Sequence, residues 1–214
     1  MKRIIIVFVG LTAVMLSACN GGNQATEKKD AMNSDKMAKM NADTSKAGGD
    51  LTKKIDAPVI KASFTNVSTD VSAHMKEVLS HYFHVKHALT KDDAVEAKNG
   101  ATMLLQVISQ FDNSLLSAEQ KPEYTKHITA IKEHADGIVK SADIDAERMH
   151  FSELSTHLHE LVKAFGASKK IYYDHCPMAF NNKGANWLND VAAIQNPYLG
   201  AKMPDCGSVE QVIE

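Results

Sequence analysis

Residues 71–111, VSAHMKEVLSHYFHVKHALTKDDAVEAKNGATMLLQVISQF, decide the fold class. In the first half Val71, Met75, Val78, Leu79, Tyr82 and Leu89 share one face at about 3.6 residues per turn, the signature of an amphipathic helix. Ser68, Thr69 or Asp70 can accept from the free N–H groups at its start. Thr90 then looks like the cap of a second helix, with Asp92 and Asp93 at the positive end of its dipole. Ala94, Ala97, Ala101, Leu104, Leu105, Ile108 and Phe111 form that helix's buried stripe.

The same pattern continues downstream. Pro122 suits the first turn of a third helix, whose apolar face is Tyr124, Ile128, Ile131, Ala135, Ile138 and Val139. Asp143 caps a fourth, with Ile144, Phe151, Leu154, Leu158, Leu161, Val162 and Phe165 facing inward and Gly166 ending it. Short connections between amphipathic helices predict an all-α protein built on an antiparallel four-helix bundle. The stretch 169–207 changes character, with three prolines and three glycines dispersed through it. It reads as a turn-rich, Cys- and Met-containing C-terminal segment. A strand is expected at Ile171–Tyr173 and a short helix around Trp187–Ile194, with Trp187 and Tyr198 anchoring the segment.

Toward the other end the pattern is that of an address label. Lys2 and Arg3 precede an apolar run, Ile4–Leu16, that is shorter than the roughly 20 residues a membrane span needs. Leu16-Ser17-Ala18-Cys19 resembles a lipobox, which makes residues 1–18 a lipoprotein signal peptide and Cys19 the lipidated first residue of the mature protein. Acyl chains on Cys19 would hold the protein to a membrane. Asn20, in place of Asp, favours the outer membrane under enterobacterial-type sorting, facing the periplasm or the cell surface. Residues 19–63 are polar and aperiodic and read as a flexible linker between lipid and domain, the domain itself covering 64–214. Met32, Met37 and Met40 in this linker read as incidental. A net charge of −2 and the lack of a basic stripe argue against nucleic acid as a partner.

With Cys19 acylated, Cys176 and Cys206 remain. Outside the cytoplasm two thiols become a disulfide or bind metal. His175-Cys176-Pro177-Met178 and Met203-Pro204-Asp205-Cys206 each set a cysteine two or three residues from a methionine beside a proline. If the chain doubles back, two thiolates and two thioethers converge with His175 adjacent. Soft sulfur donors suit Cu(I), whereas zinc sites rarely use methionine. A Cys176–Cys206 disulfide is the competing expectation. It would close a loop of about thirty residues and stabilise the fold by roughly 3–4 kcal/mol on the chain-entropy model.

The run CPMAFNNKGANWL…IQNPYLGAKMPDCG resembles a domain family of unknown function found largely in Bacteroidetes-type bacteria. The matching residues are Cys176, Pro177, Met178, Ala179, Asn182, Gly184, Ala185, Trp187, Leu188, Asn196, Pro197, Tyr198, Gly200, Met203, Cys206 and Gly207, and the resemblance extends back to Val71. Pro204 departs from the leucine usual at its position. Members are exported or are fused to periplasmic adaptor subunits of heavy-metal efflux pumps. The resemblance therefore implies a heavy-metal context, most plausibly copper, with an efflux adaptor or another copper carrier as partner.

The histidines divide by position. His81, His84 and His87 drift around the first helix; His84 and His87 are expected at a solvated face, and His157 and His159 at the surface. His150 borders the fourth helix's apolar stripe and, in the resembling family, a histidine often precedes the phenylalanine at this point; it is an extra ligand candidate. No Cys-x-x-Cys pair, nucleophile elbow or phosphate loop suggests an enzyme. The expected function is a lipid-anchored copper-binding protein of the cell envelope, with Cys176, Met178, Met203 and Cys206 as ligands and His175 and His150 beside them. The alternative is a disulfide-stapled module that docks on an envelope partner without metal. The anchor is tested by palmitate labelling: the parent should take up label and sediment with membranes, and Cys19→Ser should do neither. Label retained on Cys19→Ser would overturn the assignment.

Overall fold

A computed structural model describes residues 55–214. The expected signal peptide, Cys19 and Met32, Met37 and Met40 lie outside the described residues. The elements run β1 (Val59–Ile60), α1 (Thr69–Thr90), α2 (Ala94–Gln110), α3 (Gln120–Lys140), α4 (Ile144–Phe165), β2 (Ile171–Cys176), a helical turn α5 (Ala179–Asn182), β3 (Ala185–Asn189) and β4 (Ser208–Ile213). Among the described residues no helix is long and apolar enough to cross a membrane.

The helices start where side chains supply the missing hydrogen-bond partners. Ser68, Asp93 and Asp143 accept from the N–H groups of Val71, Glu96 and Ala146. The cap of α2 is thus Asp93 and not Thr90, which ends α1 and donates its hydroxyl to the His87 carbonyl. Ser117 and Gln120 bond reciprocally at the start of α3, a capping box that fixes that helix two residues before Pro122. Gly166 closes α4 at φ 80°, as expected.

The architecture is mainly helical but not all-α. Strands β1-β4-β2-β3 form a mixed four-stranded sheet, with β1 parallel to β4 and the other pairs antiparallel. The strand expected at Ile171–Tyr173 continues to Cys176. The helix expected around Trp187–Ile194 is instead β3, which pairs Trp187 with Asp174 and Leu188 with Tyr173 across β2. Pairing buries Trp187 and Leu188 completely, which a short exposed helix would not do. Residues 208–213, SVEQVI, add the strand β4, for which only a weak alternation spoke in the sequence. The expected linker gives up its last residues to the fold. Val59–Ile60 lies along Val212–Ile213, and Ser63 and Phe64 donate to the carbonyls of Lys163 and Ala164.

One continuous core joins bundle and sheet. The Tyr82 ring stacks on Phe151 at 5.0 Å, and its hydroxyl meets Ser155 at 2.8 Å and accepts the Leu188 N–H at 2.9 Å. Two buried cations add to this. Lys86, fully buried on α1, donates to Asn189 Oδ1 (2.8 Å), Asp190 Oδ1 (3.0 Å) and Gln195 Oε1 (2.8 Å). Arg148 on α4 donates to the carbonyls of Pro197 and Leu89 and to Asp92. Both reach from the bundle to the segment that follows β3 or to the turns around it.

Asp174 on β2 is also fully buried. Asn189 donates to its Oδ2 at 2.9 Å, and Oδ1 has no partner. Burial pushes its carboxyl up to about 7, against the opposing influences of Asn189 and Lys86. The folded state therefore holds a proton that the unfolded chain releases near pH 4, so this group's contribution to stability is present at pH 4 and is lost as pH rises toward 7. A shift of this size corresponds to a stability change on the order of 4 kcal/mol. Urea midpoints at pH 4.5 and 7.5 test it: the parent should lose stability between them relative to Asp174→Asn. Parallel pH dependences of the two proteins would show that Asp174 does not carry it.

Candidate functional site

The two sulfur-bearing turns meet. Cys176 ends β2 and is fully buried; Cys206 lies in the loop before β4 and is half-buried. Both are free cysteines, and their Sγ atoms are 2.8 Å apart. The sequence motif is what brings them together. Asn196, fully buried, donates its side-chain N–H to the Cys206 carbonyl at 2.7 Å and its backbone N–H to the Pro204 carbonyl at 2.8 Å. Its Oδ1 accepts from the N–H groups of Tyr198 and Leu199. Pro197 gives its carbonyl to Arg148, and the Tyr198 ring meets Trp187 edge-on at 5.8 Å while its hydroxyl donates to the Asn186 carbonyl. Gly207, at φ 142°, passes against the His175 carbonyl and the Trp187 ring, where an added Cβ would sit 2.8 and 3.0 Å from them. Asn196-Pro197-Tyr198 and Gly207 are thus the scaffold that seats Cys206 beside Cys176, and Trp187 packs directly under that loop.

The Met178 backbone N–H points at the Cys206 sulfur, and the Cys206 N–H donates to the Met203 carbonyl at 3.3 Å. The methionine side chains themselves are exposed, Met178 by 45% and Met203 by 37%. Met178 lines an open cleft together with Arg148, Met149, Phe180, Tyr198 and Lys202. The Cys206 thiol is pushed up to about 11, chiefly by its hydrogen bond with Cys176 and then by burial, so without a metal this thiol stays protonated at neutral pH.

The two histidine candidates are placed elsewhere. Successive β residues face opposite ways, so His175 turns from the side that carries Asp174 and Cys176, and its Nδ1 lies 3.5 Å from Glu210 Oε1. His150 on α4 faces His134 of α3, with their Nδ1 atoms 3.3 Å apart. Among the described residues no group of three or more His, Cys, Asp or Glu side chains is arranged to hold a metal ion. A sulfur site at Cys176 and Cys206 therefore reaches more than two ligands only through thioethers or outside donors.

Other histidines also differ from expectation. His159 is buried, not at the surface; it stacks on Tyr173 at 3.6 Å and bonds Gln211 at 2.9 Å, because the unforeseen β4 covers it. His157 is half-buried against His127. His84 and His87 are half-buried along a cleft shared with His81, Phe83 and Lys169, His84 bonded to Glu96 and His87 3.2 Å from Asp190. Sequence patterning missed Lys86, which falls within the apolar face of α1 between Tyr82 and Leu89, and Arg148, which borders the apolar face of α4.

No curated protein and no solved structure matches the chain. Residues 78–170, from the middle of α1 to the loop before β2, match an uncharacterised domain family described as protein of unknown function (DUF3347).

Proposed function

We propose that the chain is a lipid-anchored envelope protein that binds a soft metal ion, Cu(I), at the Cys176–Cys206 pair, for storage, handover or resistance beside heavy-metal efflux. The observation that carries this reading is the meeting of two free thiols, thirty residues apart in the chain, on turns that each expose a methionine. Methionine used for packing is buried. Here Met103, Met149, Met178 and Met203 make up half of the exposed large apolar side chains among the described residues. Met149 and Met178 border one open cleft. Thiolate and thioether donors together suit Cu(I) and fit zinc poorly. Such a set makes a holding site. Binding releases thiol protons, so affinity should fall as the medium is acidified.

Admitting an ion requires the pair to open. Metal–sulfur bonds of about 2.3 Å at a tetrahedral angle place two sulfurs about 3.8 Å apart. The 2.8 Å contact must widen by about 1 Å, and the half-buried Cys206 is the side able to give. The same short contact supports a second reading, in which oxidation joins the cysteines and the domain serves as a stapled docking module.

The two are separated by one pair of variants on the reduced full chain. Met178→Leu with Met203→Leu should change stability by no more than about 0.5 kcal/mol, since both sites are exposed, yet weaken Cu(I) binding about tenfold or more in a chelator competition. Cys176→Ser should abolish tight binding. Unchanged Cu(I) affinity in the double methionine variant, together with a parent that carries no titratable thiols when isolated from the envelope, would replace the copper reading with the stapled one.

A further inference from the structure

The seam between α3 and α4 carries a feature that the sulfur site does not use. His127 and His134 are seven residues apart on α3, and His150 and His157 are seven apart on α4. Two helical turns separate the members of each set, so each set lies along one face. The helices run antiparallel, and the histidines meet in register. His127 Nδ1 is 3.1 Å from His157 Nδ1, and His134 Nδ1 is 3.3 Å from His150 Nδ1. The His134 and His157 rings lie nearly parallel with centroids 6.4 Å apart, which joins the two pairs into one ladder.

We propose that this ladder binds divalent transition-metal ions of the zinc class, one at each histidine pair, through the facing Nδ1 atoms. Metal–nitrogen bonds of about 2.0–2.1 Å at a tetrahedral angle set two ligand nitrogens about 3.3–3.4 Å apart. The observed 3.1 and 3.3 Å separations already have that bite. A hydrogen bond between two neutral imidazoles explains either distance taken alone. Two further observations go beyond it.

The first is orientation. Glu123 Oε1 lies 3.0 Å from His127 Nε2, one turn away on the same helix. The carboxylate holds the proton on Nε2 and leaves the Nδ1 lone pair aimed at the seam, the arrangement by which outer carboxylates prepare histidine ligands. The second is space. Gly137 lies in the interior of α3, where glycine is disfavoured. A Cβ there would sit 2.5 Å from His150 Nδ1 and Cε1. The helix gives up propensity at the position over which the His150 ring lies. His134, His150 and His157 are half-buried, so water can reach each pair and complete the coordination sphere. Imidazole donors suit zinc and nickel, and the ladder shares no residue with the Cys176–Cys206 pair, so the proposal does not rest on that assignment.

The full chain titrated with Zn(II) in a calorimeter gives the test. His134→Gln with His157→Gln removes one ligand from each pair, and the stoichiometry should fall by two equivalents with helical circular dichroism unchanged. Gly137→Ala, which favours helix but displaces the His150 ring, should cost one equivalent. His81→Gln, outside the seam, should cost none. Should the double glutamine variant fail to fold, Gly137→Ala decides alone. Zn(II) stoichiometry unchanged in the folded variants, or no Zn(II) binding by the parent, would overturn the proposal and leave the pairs as hydrogen bonds.

Discussion

The Lys86 ammonium is the constraint on which the rest of the structure turns. It has three N–H groups and three acceptors, Asn189, Asp190 and Gln195, and no contact with solvent. Burying a charge is costly unless it is paired and hydrogen-bonded, and here every donor is satisfied. Burial still pulls the Lys86 pKa down, with Asp190 opposing it. The chain after β3 has little regular structure of its own until β4, and Lys86 ties its first residues to α1. Arg148 does the same from α4 through the Pro197 carbonyl. Between them the two cations fix the segment that carries Asn196, and Asn196 fixes Cys206. The sulfur pair is thus a downstream product of two buried charges on the bundle.

The bundle was legible because its helices announce themselves through period and caps. Apolar faces, Pro122, Asp143 and Gly166 all fall as the sequence implies. The sheet was not legible, since its strands are short and separated by turns, and β1 lies outside the expected domain, more than a hundred residues from its partner β4. Local pattern carries no information about such a pairing. The convergence of Cys176 and Cys206 was legible as a mirrored motif, but not the outward turn of His175, which depends on β2 continuing as a strand to Cys176. The histidine ladder was legible only in retrospect. Its spacing of seven is visible on each helix, but pairing needs the helix register, which no single-helix pattern contains.

The family match and the sulfur motif divide the chain between them. Residues 78–170 hold Lys86, Arg148 and all four ladder histidines, and stop short of both cysteines. The helices form a unit that presents two cations toward the sheet and imidazoles along the α3–α4 seam. The turns bearing sulfur are laid over one end of that unit and borrow their rigidity from it.

The two sulfurs are unequal in a way that orders events in time. Cys176 is sealed beneath the loop, while Cys206 retains access to water. Any incoming disulfide, alkylating reagent or competing chelator must therefore engage Cys206 first, and only then can Cys176 follow. In thiol–disulfide exchange the sulfur that is attacked and the one that leaves are set by access as well as by acidity. With the pair reduced, the Cys206 sulfur would attack a visiting disulfide, break its S–S bond and release one of its sulfurs as a thiol; Cys176, 2.8 Å away, would then displace the second and close the Cys176–Cys206 bond. Exchange at this pair is sequential and one-sided, so a visiting molecule needs to present only a single donor, along a single direction of approach.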